Sequence, residues 1–206
     1  MFSLALPMIL AVLLIPSVSN AQQAEAPAYK DGDWWRVKVD VKRPAGVSVS
    51  PGLEGFPEHI VKFESGNPIV LGVSGKESKQ TSGGLILAMV LGRGPMRGDL
   101  LRFPMRVGLT WSGGFNFQPP GMQMRWTDAQ YEVQAWDKVK TAKGELYAFR
   151  LVMNMNVPKG VKRQAPTELR TNTYFYAPEI KAIVFYQDIG SEVSVTSTLV
   201  DFNLMQ

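Results

Sequence analysis

The sequence predicts an all-β fold: an antiparallel curved sheet, a partly closed barrel or a sandwich, placed after a cleaved N-terminal signal peptide. Three observations predict it. Trp35, Val37, Val39 and Val41 alternate with Arg36, Lys38, Asp40 and Lys42, the period-2 pattern of a strand with one face in water. Thr171 to Tyr186, TNTYFYAPEIKAIVFY, reads as two aromatic and β-branched strands around a turn whose first corner Pro178 presets. After residue 21 no stretch carries a convincing helical period.

Taken in order, residues 1–21 read as the signal peptide. The apolar run from Leu4 to Ile15 ends at Pro16, and Ser19-Asn20-Ala21 supplies small residues before a cleavage point. The run falls short of the ~20 apolar residues that a membrane span needs. No Lys or Arg precedes it, so an uncleaved anchor is the second reading. Residues 22–206 then form a single β-rich domain, long enough to bury ~70% of its unfolded surface without a disulfide or metal staple.

Gln22 to Gly32 is polar and reads as a loose N-terminus. Pro44 to Pro57 is a long loop rich in Pro and Gly. His59 to Glu64 and Ile69 to Val73 are short strands around the Ser65-Gly66-Asn67-Pro68 turn signal. Gly75 to Ser82 reads as a polar loop. Leu85 to Leu91, seven apolar residues between glycines, reads as a strand buried on both faces; a run this short looks the same in a buried helical turn.

Phe103 to Trp111 frames a turn ahead of a Trp-bearing strand, and Ser112 to Gly121 follows as a Gly/Pro/aromatic loop. Tyr131 to Val139 and Tyr147 to Met153 form a hairpin turning at Lys143-Gly144, and Pro158 to Pro166 is a basic loop. In the central hairpin Tyr174 and Tyr176 share a face, and so do Ile183 and Phe185. Val193 and Val195 keep one phase while Val200, Phe202 and Leu204 keep the other, which places a bulge near Ser197-Thr198.

Composition narrows the chemistry. The chain has 206 residues, a net charge of +4, one His and no Cys. Absent cysteine removes thiol catalysis and a lipidated cysteine. One imidazole, His59, limits base-assisted nucleophiles and excludes a multi-histidine metal site. His59 shares a phase with Val61 and Phe63 and reads as a structural residue. Without a Lys/Arg-rich block interleaved with aromatics, nucleic-acid binding is not expected. No phosphate-binding glycine loop occurs. No catalytic residue, metal ligand or cofactor is assigned.

Two classes of function remain. The leading one is a non-enzymatic periplasmic or secreted binding protein whose partner is a small molecule, glycan, lipid or protein of the cell envelope. Its candidate ligand-binding residues are Phe115, Phe117 and Trp126 on the 112–126 loop, with Arg93 and Arg97 as a basic rim that Arg102 and Arg106 extend. The alternative is a carbohydrate-active hydrolase built on two carboxylates among Glu54, Glu58, Glu64, Asp128 and Glu132. A Met-based Cu(I) protein is a further alternative, because Met122/Met124 and Met153/Met155 each present two thioethers on one strand face.

Three segments also carry a resemblance. FPMRVGLTW (103–111), YEVQAWDKVKTAKGELYAFRLV (131–152) and TYFYAPEIKAIVFY (173–186) together resemble a pattern in secreted Gram-negative proteins whose domain has no assigned function. That pattern is Phe-Pro-x-x-Val-Gly-x-x-Trp, a hairpin turning at Gly, then Tyr-x-x-Pro-Glu before a valine-rich return strand. Lys143 and Leu146 depart from it without disturbing the hairpin. The resemblance covers about the C-terminal half. It implies a β-rich envelope protein and supplies no reaction.

Overall fold

The computed structural model describes residues 22–45, 56–75, 77–81, 83–93, 100–117, 125–158, 167–189 and 193–206. The expected signal peptide lies outside them, as do Glu54, Arg97, Met122 and Met124.

Twelve strands and one α-helix are assigned among the described residues. In chain order they are β1 (Gln23–Ala24), β2 (Trp34–Lys42), β3 (Glu58–Glu64), β4 (Asn67–Ser74), β5 (Glu77–Gln80), α1 (Gly84–Leu91) and β6 (Met105–Arg106), followed by β7 (Thr110–Phe117), β8 (Arg125–Thr141), β9 (Gly144–Pro158), β10 (Thr167–Ala177), β11 (Ala182–Ile189) and β12 (Ser194–Asn203). Ten of the strands make one curved, open antiparallel sheet in the order β5-β4-β3-β2-β12-β11-β10-β9-β8-β7, and β1 pairs with β6. The sheet is the all-β fold that the alternation predicts.

Every long strand turns its apolar phase to one face, here called the inner face. The inner residues of β2 are Trp35, Val37 and Val39, all nearly inaccessible. Through the β12–β2 register Ser197 lies opposite Val39 and Leu199 opposite Val37. Through the β10–β9 register Tyr174 lies opposite Leu151 and Tyr176 opposite Phe149. α1 packs on this face against β11, β3 and β4.

Four local expectations change. Leu85–Leu91 is the helix α1, not a strand. It is apolar all round, as a buried helix must be, and Leu, Ala and Met outnumber its two β-branched residues, Ile86 and Val90. Gly92 closes it in the left-handed region. The 75–82 loop contains the short strand β5, paired with β4 from Leu71↔Gln80 to Ser74↔Glu77. The N-terminal segment is tied down rather than loose: Ala24 sits opposite Met105 in β6 and is buried. The aromatic loop begins later than expected, since 110–117 pairs with 125–132 as β7 and β8.

Two bulges re-phase the core. In the central hairpin Phe175 lies opposite Phe185 but Tyr176 opposite Ile183, so Val184 is the extra residue. Ile183 therefore joins Tyr176 in the core, whereas Phe185 stands half-buried against Phe175 on the other face, ring centroids 5.8 Å apart. This corrects the shared face expected for Ile183 and Phe185. In β12 the register shifts between Leu199 and Asp201, two residues beyond the Ser197-Thr198 position expected for it. The β3–β4 turn is tight because Ser65 and Gly66 both take positive φ, 51° and 74°, the backbone twist that a two-residue hairpin favours.

Candidate functional site

The two ends of the sheet differ in kind. At one end the chain is clasped. Asp33, fully buried, accepts hydrogen bonds from the Lys30 amide at 3.0 Å, the Met205 amide at 2.8 Å and Lys181 Nζ at 3.2 Å. Trp35 Nε1 donates to the Ile180 carbonyl at 2.7 Å, and the Tyr29 hydroxyl to the Lys181 carbonyl at 3.2 Å. Burial pushes the Tyr29 phenol up to about 12, with nearby Arg93 pulling the other way. The Arg93 guanidinium lies 4.9 Å from the Tyr29 ring centroid.

At the other end β2, β7, β9 and β11 finish while β3, β8, β10 and β12 begin. The chain leaves and re-enters the described strands at this end, at residues 42 and 58, 117 and 125, 158 and 167, and 189 and 194. Here the inner face turns polar within an apolar wall. Arg170 and Asp188 form a bidentate pair, Nε to Oδ1 at 2.6 Å and Nη2 to Oδ2 at 2.5 Å, with side chains 18% and 13% exposed. Asn172 lies opposite Asp188 in the ladder, and its Nδ2 donates to the Tyr186 hydroxyl at 3.3 Å and the Tyr174 hydroxyl at 3.5 Å. The two tyrosine rings tilt against each other with centroids 4.8 Å apart. Burial raises the pKa of both phenols; Tyr174 and the Asp188 carboxylate add to the rise at Tyr186. Both hydroxyls stay protonated at any physiological pH.

The wall around this network is built by neighbouring strands. Met153 lies opposite Asn172, Met155 opposite Arg170 and Val195 opposite Asp188, and all three are buried. Tyr131 lies opposite Met153 and Trp111 opposite Tyr131. The Trp111 and Tyr131 rings stack 5.1 Å apart, 7° from parallel. Gly113 leaves room for that stack: a Cβ there would stand 3.1 Å from Tyr131 Cε2. Two buried polar atoms in this region make no hydrogen bond, Asn172 Oδ1 and Trp111 Nε1. An unpaired buried polar atom costs ~1–3 kcal/mol. The arrangement thus holds one buried acceptor and one buried donor without a partner among the described residues.

The residues singled out from the sequence divide between the ends. Residues 115 and 117 of β7 lie opposite 127 and 125 of β8, and 126 lies opposite 116. Phe115, Phe117 and Trp126 thus belong to strands, not to a loop, at the same end as the polar network. Arg93 lies at the clasped end with Tyr29, away from those aromatics, and Arg97 lies outside the described residues. Arg102 and Arg106 are exposed.

Among the described residues, the two carboxylate pairs that share a strand do not converge. Glu58 and Glu64 are six positions apart on β3, ~20 Å along an extended strand. Asp128 and Glu132 are four apart on β8, ~13 Å, where glycosidases need ~5–9.5 Å. Of the methionine pairs, Met153 and Met155 are both buried core residues. No group of three or more His, Cys, Asp or Glu among the described residues is placed to hold a metal. No helix among them is long and apolar enough to cross a membrane.

His59 is inaccessible, on β3 between Val37 and Gly72. Burial lowers its pKa, partly offset by the Phe56 backbone, but no hydrogen bond of good geometry reaches either ring nitrogen. It is a neutral core residue.

The network escaped the sequence reading although its signal is there. In TELRTNTYFYA the residues Arg170, Asn172, Tyr174 and Tyr176 share one phase. A charged and an amide residue on the apolar phase of a strand is the mark of a built polar site.

No family model and no curated protein matches the chain. Solved structures similar to it include the following three. A protein with a YmcC-like fold from Bacteroides fragilis, named as exported, is 14% identical over 87% of this chain and 99% of its own, with a TM-score of 0.40. The hypothetical lipoprotein YmcC from Escherichia coli is 9% identical over 84% of this chain and 86% of its own, TM-score 0.41. A protein from Parabacteroides distasonis, named as a lipoprotein, is 11% identical over 88% of this chain and all of its own, TM-score 0.38. A likeness of this size assigns the chain neither a family nor an activity.

Proposed function

We propose that the chain is a non-enzymatic binding protein of the periplasm or the extracellular space. In this reading it takes a small amphiphile, with an N–H or O–H donor on an apolar body, at the end of its inner face that carries Arg170, Asn172 and Asp188. One observation carries it: Asn172, buried among Met153, Tyr174 and Tyr186, is held by its Nδ2 while Oδ1 lacks a partner. The Arg170–Asp188 pair and the tyrosine hydroxyls orient that amide, and Met153, Met155 and Val195 supply the apolar surroundings. Such a small set of convergent polar groups in an apolar wall is how ligand sites fix orientation. Location rests on the signal-peptide pattern of residues 1–21.

N-phenylnaphthylamine, an apolar body with a single N–H donor, is a suitable probe. Its fluorescence on titration with the purified protein is expected to saturate at one equivalent, and Asn172→Leu is expected to weaken binding at least about tenfold, the loss of roughly one hydrogen bond to a buried partner. Equal affinity in the variant removes Asn172 from the site, and a non-saturating titration overturns the reading.

A further inference from the structure

The two edges of the ten-stranded sheet are built differently. β5, at one edge, is four residues long and carries Glu77 and Lys79. Short, charged strands keep open sheets from pairing edge to edge. β7, at the other edge, runs for eight residues, TWSGGFNF, with no charge and no proline. It pairs with β8 along its whole length and with no other strand among the described residues. Among the described residues one row of its backbone N–H and C=O groups therefore has no ladder partner, and such a row is a template for another extended chain.

We propose that β7 pairs antiparallel with β7 of a second copy of this chain, so that two ten-stranded sheets join at this edge. The sequence of the strand is self-complementary. A two-fold axis through Gly113 sets residue 111 opposite 115, 110 opposite 116 and 112 opposite 114. Trp111 is then across from Phe115, an aromatic pair, and Thr110 from Asn116, a polar pair. No like charges meet, and Gly113 falls on the axis, where it faces its own copy with no side chain to clash. Residues directly opposite in an antiparallel pair share a face. A register of odd with odd positions therefore leaves the two inner faces on the same side of one continuous sheet. β5 lacks both the length and the neutrality to do this.

An eight-residue strand pair is small against the ~1,600 Å² of a standard stable interface, so the association is concentration-dependent. Sedimentation velocity over a concentration series of the protein purified after export is expected to show a monomer–dimer equilibrium. Ser112 is exposed, and its hydroxyl donates to Gln130 Oε1 at the surface, at 2.9 Å. Ser112→Lys is expected to leave the thermal melt unchanged and weaken the dimer at least about tenfold, by adding one charge on each side of the axis. Ser78→Lys on β5 should leave it unaffected. A protein monomeric at every concentration overturns the proposal. So does a dimer that survives Ser112→Lys, or one that Ser78→Lys dissolves.

Discussion

Asp33 and Lys181 are 148 positions apart in the chain and meet at 3.2 Å. With the Met205 amide on its other oxygen, Asp33 ties the first strand of the large sheet to the central turn and to the C-terminus. Lys181 reaches it from a left-handed backbone, φ 58°, at the end of the short 3₁₀ turn Pro178–Ile180. Removing one member of a buried ion pair leaves the other uncompensated, at a cost of roughly 3–5 kcal/mol. Asp33→Ala is expected to lose stability in that range in urea melts. Lys181→Met should lose less, because the Lys30 and Met205 amides still hold the Asp33 carboxylate. Equal, small losses would show that the clasp is incidental to stability.

Acid should unfold the protein in two steps. Burial alone would raise the Asp33 carboxyl, but the Lys30, Met205 and Lys181 hydrogen bonds outweigh it and hold the pKa below its usual value. The stability this contributes is present above the unfolded value of ~3.9 and is lost as pH falls through the folded one. His59 is also depressed, by burial, and the folded state again binds fewer protons than the unfolded chain. Its contribution begins to fall below the unfolded value of ~6.5. Urea midpoints are therefore expected to begin dropping below about pH 6.5 and to drop further below about pH 4. His59→Leu should abolish the first step and keep the second. A wild-type midpoint flat from pH 7 to 5 would contradict the assignment.

The bulge at Val184 makes a testable distinction between two phenylalanines. Phe149 is inaccessible opposite Tyr176, and Phe149→Ala is expected to cost about 3–5 kcal/mol. Phe185, half-buried beside Phe175, loses less area and should cost about half as much. Denaturant melts compare them directly; equal losses would place Phe185 in the core after all.

That distinction marks where reading the sequence succeeds and where it stops. β2, the β3–β4 and β8–β9 hairpins and the central hairpin are legible because alternation and turn chemistry act within a few residues. Which phase of a strand faces inward is set by its neighbours, and a single extra residue such as Val184 reverses it without changing composition. α1 is ambiguous for a related reason: seven apolar residues carry no period, and only the packing of Ile86 and Met89 against the sheet decides. The polar network is half legible. Arg170, Asn172 and Tyr174 share a phase that the sequence displays, but that Asp188 and Tyr186 face them depends on the hairpin register. Arg93 shows the converse, close to the aromatic segment in sequence and at the other end of the strands in space.

Export carries its own test. Mass spectrometry of the protein recovered from outside the cytoplasm is expected to find Gln22 as the N-terminal residue, following the small residues Ser19 and Ala21. An intact chain beginning at Met1 in the membrane fraction would mean that the apolar segment is retained.

The Arg170–Asp188 pair separates a stabilising role from a ligand-orienting one. Arg170→Leu alone leaves the Asp188 carboxylate, with a side chain 13% exposed, beside Tyr186 without its cation. Breaking such a pair from one side destabilises, whereas replacing both members by apolar residues is often neutral. The double variant Arg170→Leu, Asp188→Leu is thus expected to melt within about 1 kcal/mol of the parent while the single variant loses more. The double variant should still bind N-phenylnaphthylamine more weakly. Without Asp188 the Tyr186 hydroxyl is free to rotate, and Asn172 Nδ2 no longer has a fixed acceptor. A double variant that is stable and binds the probe as the parent does would assign the pair to neither role. One that is both unstable and binding-deficient would make it structural first, with the orientation of Asn172 a consequence of the fold.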